Sequence, residues 1–161
     1  MKWKSHQAVT AATVYAATGD VLAAILAMQG SIWPDAVEMK LPFLRHRALS
    51  HWWPVYVLPM AFFYVLVIAK LGFFPDPWMA AKFILSGGFS FSLVLGELCF
   101  WSLLGALLHI PEDALCGYIP ITRPNQRRKC CHLFYVGSPR ETTFVMAYVV
   151  LVLTGGLFAH L

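Results

Sequence analysis

The chain has 161 residues, of which 59% are hydrophobic and only 12% are charged, and its mean hydropathy is +0.65. An ordinary soluble domain has about 45–50% apolar and about 25% charged residues, so this composition argues against a water-soluble globule and excludes disordered and collagen-like chains. The net charge of +4 is modest and indicates membrane topology rather than a nucleic-acid partner. We therefore expect an all-α integral membrane helical bundle, with residues 1–161 forming a single domain.

Four apolar stretches predict three to four membrane-spanning helices. They run from about Ala8 to Met28, Trp53 to Phe74, Phe83 to Ile110 and Phe144 to Leu161. A helix needs about 20 apolar residues to cross the hydrocarbon core, and the last three stretches reach that length, the fourth narrowly. Backbone polar groups have no water to bond in lipid, so each stretch is expected to be helical.

The first stretch differs from the others because Gly19 and Asp20 interrupt it. If it spans the membrane, the polar segments Gly30–Trp52 and Pro111–Thr143 share one face with eight Lys and Arg residues, against four on the other face. If it instead turns back at Asp20 as a re-entrant helical hairpin, the count becomes ten against two. Basic residues concentrate on the cytoplasmic side, so both polar loops are expected to be cytoplasmic in either case, and the hairpin gives the stronger asymmetry.

The two polar segments hold most of the side chains that could bind a metal ion. His109 and Asp113 are four residues apart, and they share one helical face if the helix continues through Pro111. Imidazole nitrogen and carboxylate oxygen are ligands for zinc, manganese or iron. The alternative is a histidine at a helix end beside a solvated acid, with Pro111 starting a new helix.

The other candidates are weaker individually. His46 and His51 are five residues apart, which places them about 140° apart on a helix, so they suit a loop or a helix start. Alternatively, they are interfacial residues beside the tryptophan pair at 52–53. Asp35 lies in a turn that follows the first apolar stretch. Because all these segments are expected on one membrane face, together they predict a site for one to three divalent ions.

Five short motifs occur in a characteristic order. They are SHQAV around His6, a Gly-x-x-x-Pro-Asp turn (30–35), HRALSH (46–51), HIPED (109–113) and a Gly-Ser-x-x-Glu turn (137–141). This order resembles that of the YdjM-like family of bacterial inner-membrane proteins, described as LexA-regulated, metal-dependent hydrolases. The resemblance extends from about His6 to Glu141, and the combination of HRALSH with HIPED is its most specific part.

The resemblance implies a multi-pass protein of the bacterial inner membrane that binds a divalent metal, with zinc first and manganese or iron as alternatives. It also implies a distant similarity to zinc-dependent phospholipase C and P1-nuclease folds, and hence a phosphoester or lipid substrate. Where the family commonly has Pro-Asp-x-Asp-His, this chain has Val37 and Glu38 at the last two positions, so one metal position is altered. The ligands it implies are His6, Asp35, His46, His51, His109 and Asp113. Because His6 can join Asp35 only if both lie on one membrane face, the resemblance favours the re-entrant hairpin.

The remaining roles follow from this hypothesis. Asp113 and Glu38 are candidate general bases. Arg45, Arg47 and Arg123 are candidate clamps for a phosphate or an anionic headgroup, although a simple positive-inside signal explains them equally. The expected partners are the lipid bilayer and a phospholipid or phosphoester substrate, with no nucleic acid.

Two other classes of function stay open. The first is a non-enzymatic membrane protein whose metal site is structural or binds a partner. The second is a small transporter that uses Glu97 and Asp20 as an ion relay, although no inverted repeat is evident. Before the last apolar stretch, Ser138 and Glu141 have the spacing of a capping box, which predicts a helix start there rather than a catalytic serine.

Overall fold

The computed structural model describes residues 1–40, 49–72, 75–88, 90–124 and 126–159. This part of the chain is mostly helical, as predicted, and a short antiparallel β-hairpin is added after the sixth helix. In chain order its elements are α1 (Trp3–Thr18), α2 (Val21–Gly30), α3 (Trp33–Lys40), a 3₁₀-helix (Leu49–His51), α4 (Pro54–Leu71), α5 (Pro77–Leu85), α6 (Phe91–Ala114), β1 (Tyr118–Pro120), β2 (Arg127–Lys129) and α7 (Pro139–Ala159).

The first apolar stretch forms a helical hairpin. Gly19 ends α1 with a left-handed φ of +70°, and its N–H donates to the Tyr15 carbonyl at 2.7 Å. Asp20 then caps α2 by accepting the backbone N–H groups of Leu22 and Ala23. The break therefore falls where the sequence favoured it. It returns the chain to the end of the molecule where α1 begins.

In the described part of the chain, α6 and α7 are long and apolar enough to cross a membrane. The apolar helix α4 is shorter. Half of the apolar segment of α6 is buried inside the bundle, whereas only 11% of the apolar segment of α7 is buried. Helix α7 therefore presents an apolar surface outward. These two helices support membrane association. The expectation of three to four spans is not confirmed by these two helices. The predicted third stretch does not form one helix, because a turn at Gly87, where φ is +90°, divides it between α5 and α6.

Helix α6 is the centre of the bundle, with α2 and α4 packed against it. Two glycines allow α2 and α6 to approach at backbone distance. A Cβ atom on Gly105 would lie 1.9 Å from the Ala27 carbonyl oxygen, and one on Gly30 would lie 1.8 Å from the Ser102 carbonyl oxygen. This contact sets the position of the end of α2 beside the last turns of α6.

A buried carboxylate connects the start of α1 to the start of α7. Glu141 accepts the Lys2 N–H at 2.7 Å and the Gly137 N–H at 2.5 Å, and its own N–H donates to Ser138 Oγ at 3.3 Å. The predicted capping role of Ser138 is therefore present. The same contacts fix the first turn of α1 at the end of the bundle where α6 finishes and α7 begins.

Candidate metal centre

Four side chains converge at this end of the bundle. Asp35 comes from α3, His51 from the 3₁₀-helix, and His109 and Asp113 from the last two turns of α6. One nitrogen or oxygen atom from each lies within 4.8 Å of the other three. The side chains of His51, His109 and Asp113 are at most 1% exposed, whereas Asp35 is 20% exposed. The cluster is therefore buried, and its one partly open edge is at Asp35.

The distances between these atoms suit a shared ion. His51 Nε2 lies 3.1 Å from His109 Nε2, 3.5 Å from Asp35 Oδ1 and 3.4 Å from Asp113 Oδ2. His109 Nε2 lies 3.6 and 3.7 Å from the same two carboxylate oxygens. Ligand atoms at metal distances of about 2.0–2.1 Å in a tetrahedron lie about 3.3–3.4 Å from one another. The five distances bracket this value.

His51 and His109 are each oriented by a contact at Nδ1, the ring nitrogen that faces away from the centre. The Nδ1 atom of His109 contacts the Ser31 carbonyl oxygen at 2.6 Å, and that of His51 contacts Glu38 Oε1 at 2.9 Å. Because both partners are acceptors, each Nδ1 is a protonated nitrogen, and in its neutral form each ring would present the Nε2 lone pair to the centre. A histidine whose second nitrogen donates to a carboxylate or carbonyl is the usual arrangement around a protein-bound metal.

His6 borders the same cluster. Its ring stacks on that of His109 with centroids 3.8 Å apart, and its Nδ1 contacts Glu112 Oε2 at 2.6 Å. Thr10 Oγ1 donates to the other oxygen of Glu112 at 2.8 Å. His6 Nε2 is 3.3 Å from Asp113 Oδ1 and makes no hydrogen bond within the described ranges. His6 is therefore buried and oriented in the same way as the two central histidines.

The carboxylates strongly perturb the titration of their neighbours. Burial opposes the charged form of His51, but hydrogen bonds to Asp113, Asp35 and Glu38 outweigh it and raise the pKa of His51 to about 10. Burial also opposes the charged form of Asp35, yet its contacts with the His109 and His51 rings hold the pKa of Asp35 well below its usual range. His51 therefore favours the protonated form when no ion is bound. The Met1 ammonium, which donates to Asp113 Oδ1 at 2.6 Å, adds a second positive charge beside the centre.

The structure brings most of the predicted ligands together. Asp35, His51, His109 and Asp113 form the cluster, and His6 lies against it. The predicted residues His46, Arg45 and Arg47 lie outside the described residues. Glu38 contacts the outer nitrogen of His51 and accepts a hydrogen bond from Ser50. Arg123 is exposed in the turn between β1 and β2, outside the buried cluster.

Two further acidic residues shape the centre. The sequence predicts neither role, although it predicts Glu141 as part of a capping box. Glu112 is buried and faces α1, where it orients His6. Glu141 holds the first turn of α1 through the Lys2 N–H. A sequence signal for Glu112 exists in its spacing, since a helix continuing through Pro111 places it three residues after His109 on an adjacent face.

Comparisons with protein-family models, with curated proteins and with solved structures found no match.

Proposed function

We propose that this protein is a membrane-bound, metal-dependent hydrolase that acts on a phosphoester or lipid substrate at the cytoplasmic face. The observation that carries the proposal is the convergence of two oriented imidazole nitrogens, 3.1 Å apart, with two carboxylate oxygens that each lie 3.4–3.7 Å from both nitrogens. The resemblance of the chain to the YdjM-like family supports the same reading.

The donor set favours a catalytic type of site. Structural zinc sites are built largely from cysteine thiolates, whereas His and carboxylate ligands are typical of hydrolytic zinc sites and also suit manganese and iron. The cluster contains no cysteine. Its partly exposed edge at Asp35 offers a side from which water and a substrate could reach the centre. We therefore propose zinc as the first candidate ion, with manganese or iron as alternatives.

The protein's own residues provide orientation and proton acceptance. When bound, a divalent ion supplies Lewis-acid polarisation and lowers the pKa of water. The Ser31 carbonyl and Glu38 hold the two central imidazoles in the tautomer that binds a metal. Glu38 is thus better placed to orient His51 than to act as a general base. His6, whose Nε2 lies 3.3 Å from Asp113 Oδ1, is the nearest further base, whereas Asp113 Oδ1 already accepts the Met1 ammonium at 2.6 Å.

The position of the centre supports a substrate that is anionic and close to the membrane surface. Asp113 is the penultimate residue of α6, and Glu141 is in the first turn of α7, so the centre lies at one end of both candidate spans. Exposed cations surround the same end of the bundle, and they attract phosphate groups and anionic headgroups. Among the described residues these are Lys2, Lys4, Lys40, Arg123, Arg128, Lys129 and Arg140.

A structural metal site is the second candidate. It is favoured by the number of protein ligands and by their burial, since structural sites are usually closed by four protein ligands whereas catalytic sites keep one position open. In that case the ion would connect α3, the 3₁₀-helix and α6, whose contributions to the cluster come from distant parts of the chain.

The two candidates are separated by measuring metal content and turnover in the same preparation. The full-length protein, purified in detergent, is analysed for bound metal and assayed against phosphomonoesters, phosphodiesters and phospholipids. Metal-dependent turnover that is lost in Asp113→Asn while the helical circular dichroism is retained would support the hydrolase. Tightly bound metal that raises the melting temperature without any turnover would support the structural role. Absence of bound metal after loading with zinc, manganese or iron would overturn both.

A further inference from the structure

Trp3 contacts the one cluster residue that is partly exposed. It lies on the first turn of α1, and its indole Nε1 donates a hydrogen bond to Asp35 Oδ2 at 3.0 Å. The indole is 40% exposed, so it sits at the mouth of the centre rather than in the core. Asp35 is 20% exposed, whereas the three other cluster side chains are at most 1% exposed. This hydrogen bond is therefore at the edge through which the centre can be reached.

The two carboxylate oxygens of Asp35 have different contacts. Oδ1 faces the centre, 3.5 Å from His51 Nε2 and 3.6 Å from His109 Nε2. Oδ2 faces outward and accepts the Trp3 N–H. A carboxylate with one oxygen engaged by a donor on the far side offers a single oxygen to an ion. Without that donor it is free to rotate and offer both.

The first turn of α1 is itself held in place, which makes the indole a fixed donor. The Lys2 N–H donates to the buried carboxylate of Glu141 at 2.7 Å. Three residues after Trp3, His6 is locked by its contact with Glu112. Trp3 therefore lies between two anchored positions on one helical turn, and its neutral N–H satisfies Asp35 Oδ2 without adding a charge that would compete with a cation.

We propose that Trp3 is a positioning residue that restricts Asp35 to one-oxygen coordination and thereby keeps a ligand position open at the exposed edge of the centre. This inference rests on the metal centre proposed above and deepens it. A carboxylate bound through both oxygens would fill the position that a water molecule or a phosphate oxygen of the substrate needs. Trp3 would then determine whether the centre is open to substrate or closed.

The test compares Trp3→Phe, which keeps an aromatic ring but removes the N–H donor, with Trp33→Phe as the matched control. Trp33 lies on the same helix as Asp35 and is equally exposed, at 41%. Zinc affinity is measured by competition with a chelator, and the coordination number is read from the visible absorption of the cobalt-substituted protein. Loss of a group that orients a metal ligand typically weakens metal affinity by about 10–100-fold.

For Trp3→Phe we expect zinc binding to be at least about tenfold weaker. We also expect weaker visible absorption of the cobalt-substituted protein, because this absorption is less intense for five-coordinate than for four-coordinate cobalt. Trp33→Phe should match the wild type in both measurements. Wild-type affinity and spectrum in Trp3→Phe would overturn the inference while leaving the metal centre standing. Equal changes in both variants would also overturn it. A wild-type protein that binds neither zinc nor cobalt would overturn the metal centre, and the inference with it.

A second measurement decides the case if Trp3→Phe does not fold. In the wild-type protein, the indole N–H resonance of Trp3 should shift when zinc is added, because its acceptor becomes a metal ligand. The resonance of Trp78, exposed on α5, serves as the reference. A Trp3 resonance that is as insensitive to zinc as that of Trp78 would overturn the inference.

Discussion

The Nε2 atoms of His51 and His109 lie 3.1 Å apart, although 58 residues separate the two histidines in the chain. Each ring uses its other nitrogen to contact an acceptor, Glu38 for His51 and the Ser31 carbonyl for His109. Two neutral imidazoles held in this way would direct lone pairs at each other. Either a proton or a shared cation must therefore lie between them.

Removing His109 should abolish metal binding. We expect wild-type protein loaded with zinc to retain close to one ion per chain after gel filtration, and His109→Ala to retain close to none. His132→Ala is the matched control, because His132 contacts the Cys116 carbonyl outside the cluster. Metal content is measured by mass spectrometry of the eluted protein. Equal zinc in both variants would place the ion elsewhere.

Metal binding near neutral pH should release a proton. The pKa of His51 is raised to about 10, so His51 is protonated at pH 7 in the metal-free protein and must lose that proton to bind an ion. We expect affinity to rise about tenfold per pH unit between pH 7 and 9. Titration calorimetry in two buffers with different ionisation enthalpies measures the number of protons released. A value near zero would contradict the assignment of His51 as a ligand.

The same shift predicts how the stability of the metal-free protein depends on pH. A raised histidine pKa stabilises the folded state fully below its ordinary value of 6.5, and this contribution is lost as the pH rises through about 10. We therefore expect the melting temperature of the metal-free protein to fall across this window. His51→Ala should remove this part of the dependence, and thermal melts at several pH values measure both. A wild-type melting temperature that is constant from pH 6.5 to 10 would contradict this account.

Glu38→Gln should weaken metal binding without removing it. Its carboxylate orients His51 through Nδ1, and loss of such a partner typically weakens metal affinity by about 10–100-fold. Glu97→Gln is the matched control, because Glu97 is also buried but bonds the Asp76 N–H and the Trp101 indole. Chelator competition measures the affinities. A similar loss in both variants would indicate general destabilisation instead.

Gly105→Ala should disturb the centre from a distance. Its Cβ would lie 1.9 Å from the Ala27 carbonyl oxygen, which forces α2 away from α6 and moves the Ser31 carbonyl relative to His109. Overpacking of this kind costs about 1–3 kcal/mol. Gly155→Ala, on α7, meets nothing within 4 Å and should be tolerated. Melting temperature and zinc affinity should fall together in Gly105→Ala alone, and unchanged zinc affinity would show that this packing does not set the centre.

The parts of this structure that the sequence predicts well are governed by local rules. Gly19 permits a left-handed helix end, and Asp20 is a strong helix cap, so the hairpin follows from two adjacent residues. His109 and Asp113 share a helical face once the helix passes Pro111. These features depend on spacing within a few residues.

The parts that the sequence did not predict depend on packing between distant segments. The spacing of Glu112 places it on a face next to that of His109, but it becomes an orienting residue only because α1 packs beside α6. The turn at Gly87 divides the third apolar stretch, which its composition predicts to be a single span. The role of Glu38 likewise depends on where the 3₁₀-helix places His51.

The most direct test of the central claim is X-ray absorption spectroscopy of the zinc-loaded protein. Asp35, His51, His109 and Asp113 predict only nitrogen and oxygen neighbours at about 2.0–2.1 Å, with the outer-shell pattern of two imidazole rings. In His109→Ala that pattern should diminish or the bound zinc should disappear. Sulfur neighbours at about 2.3 Å, or a zinc signal without imidazole that is unchanged in His109→Ala, would contradict the account.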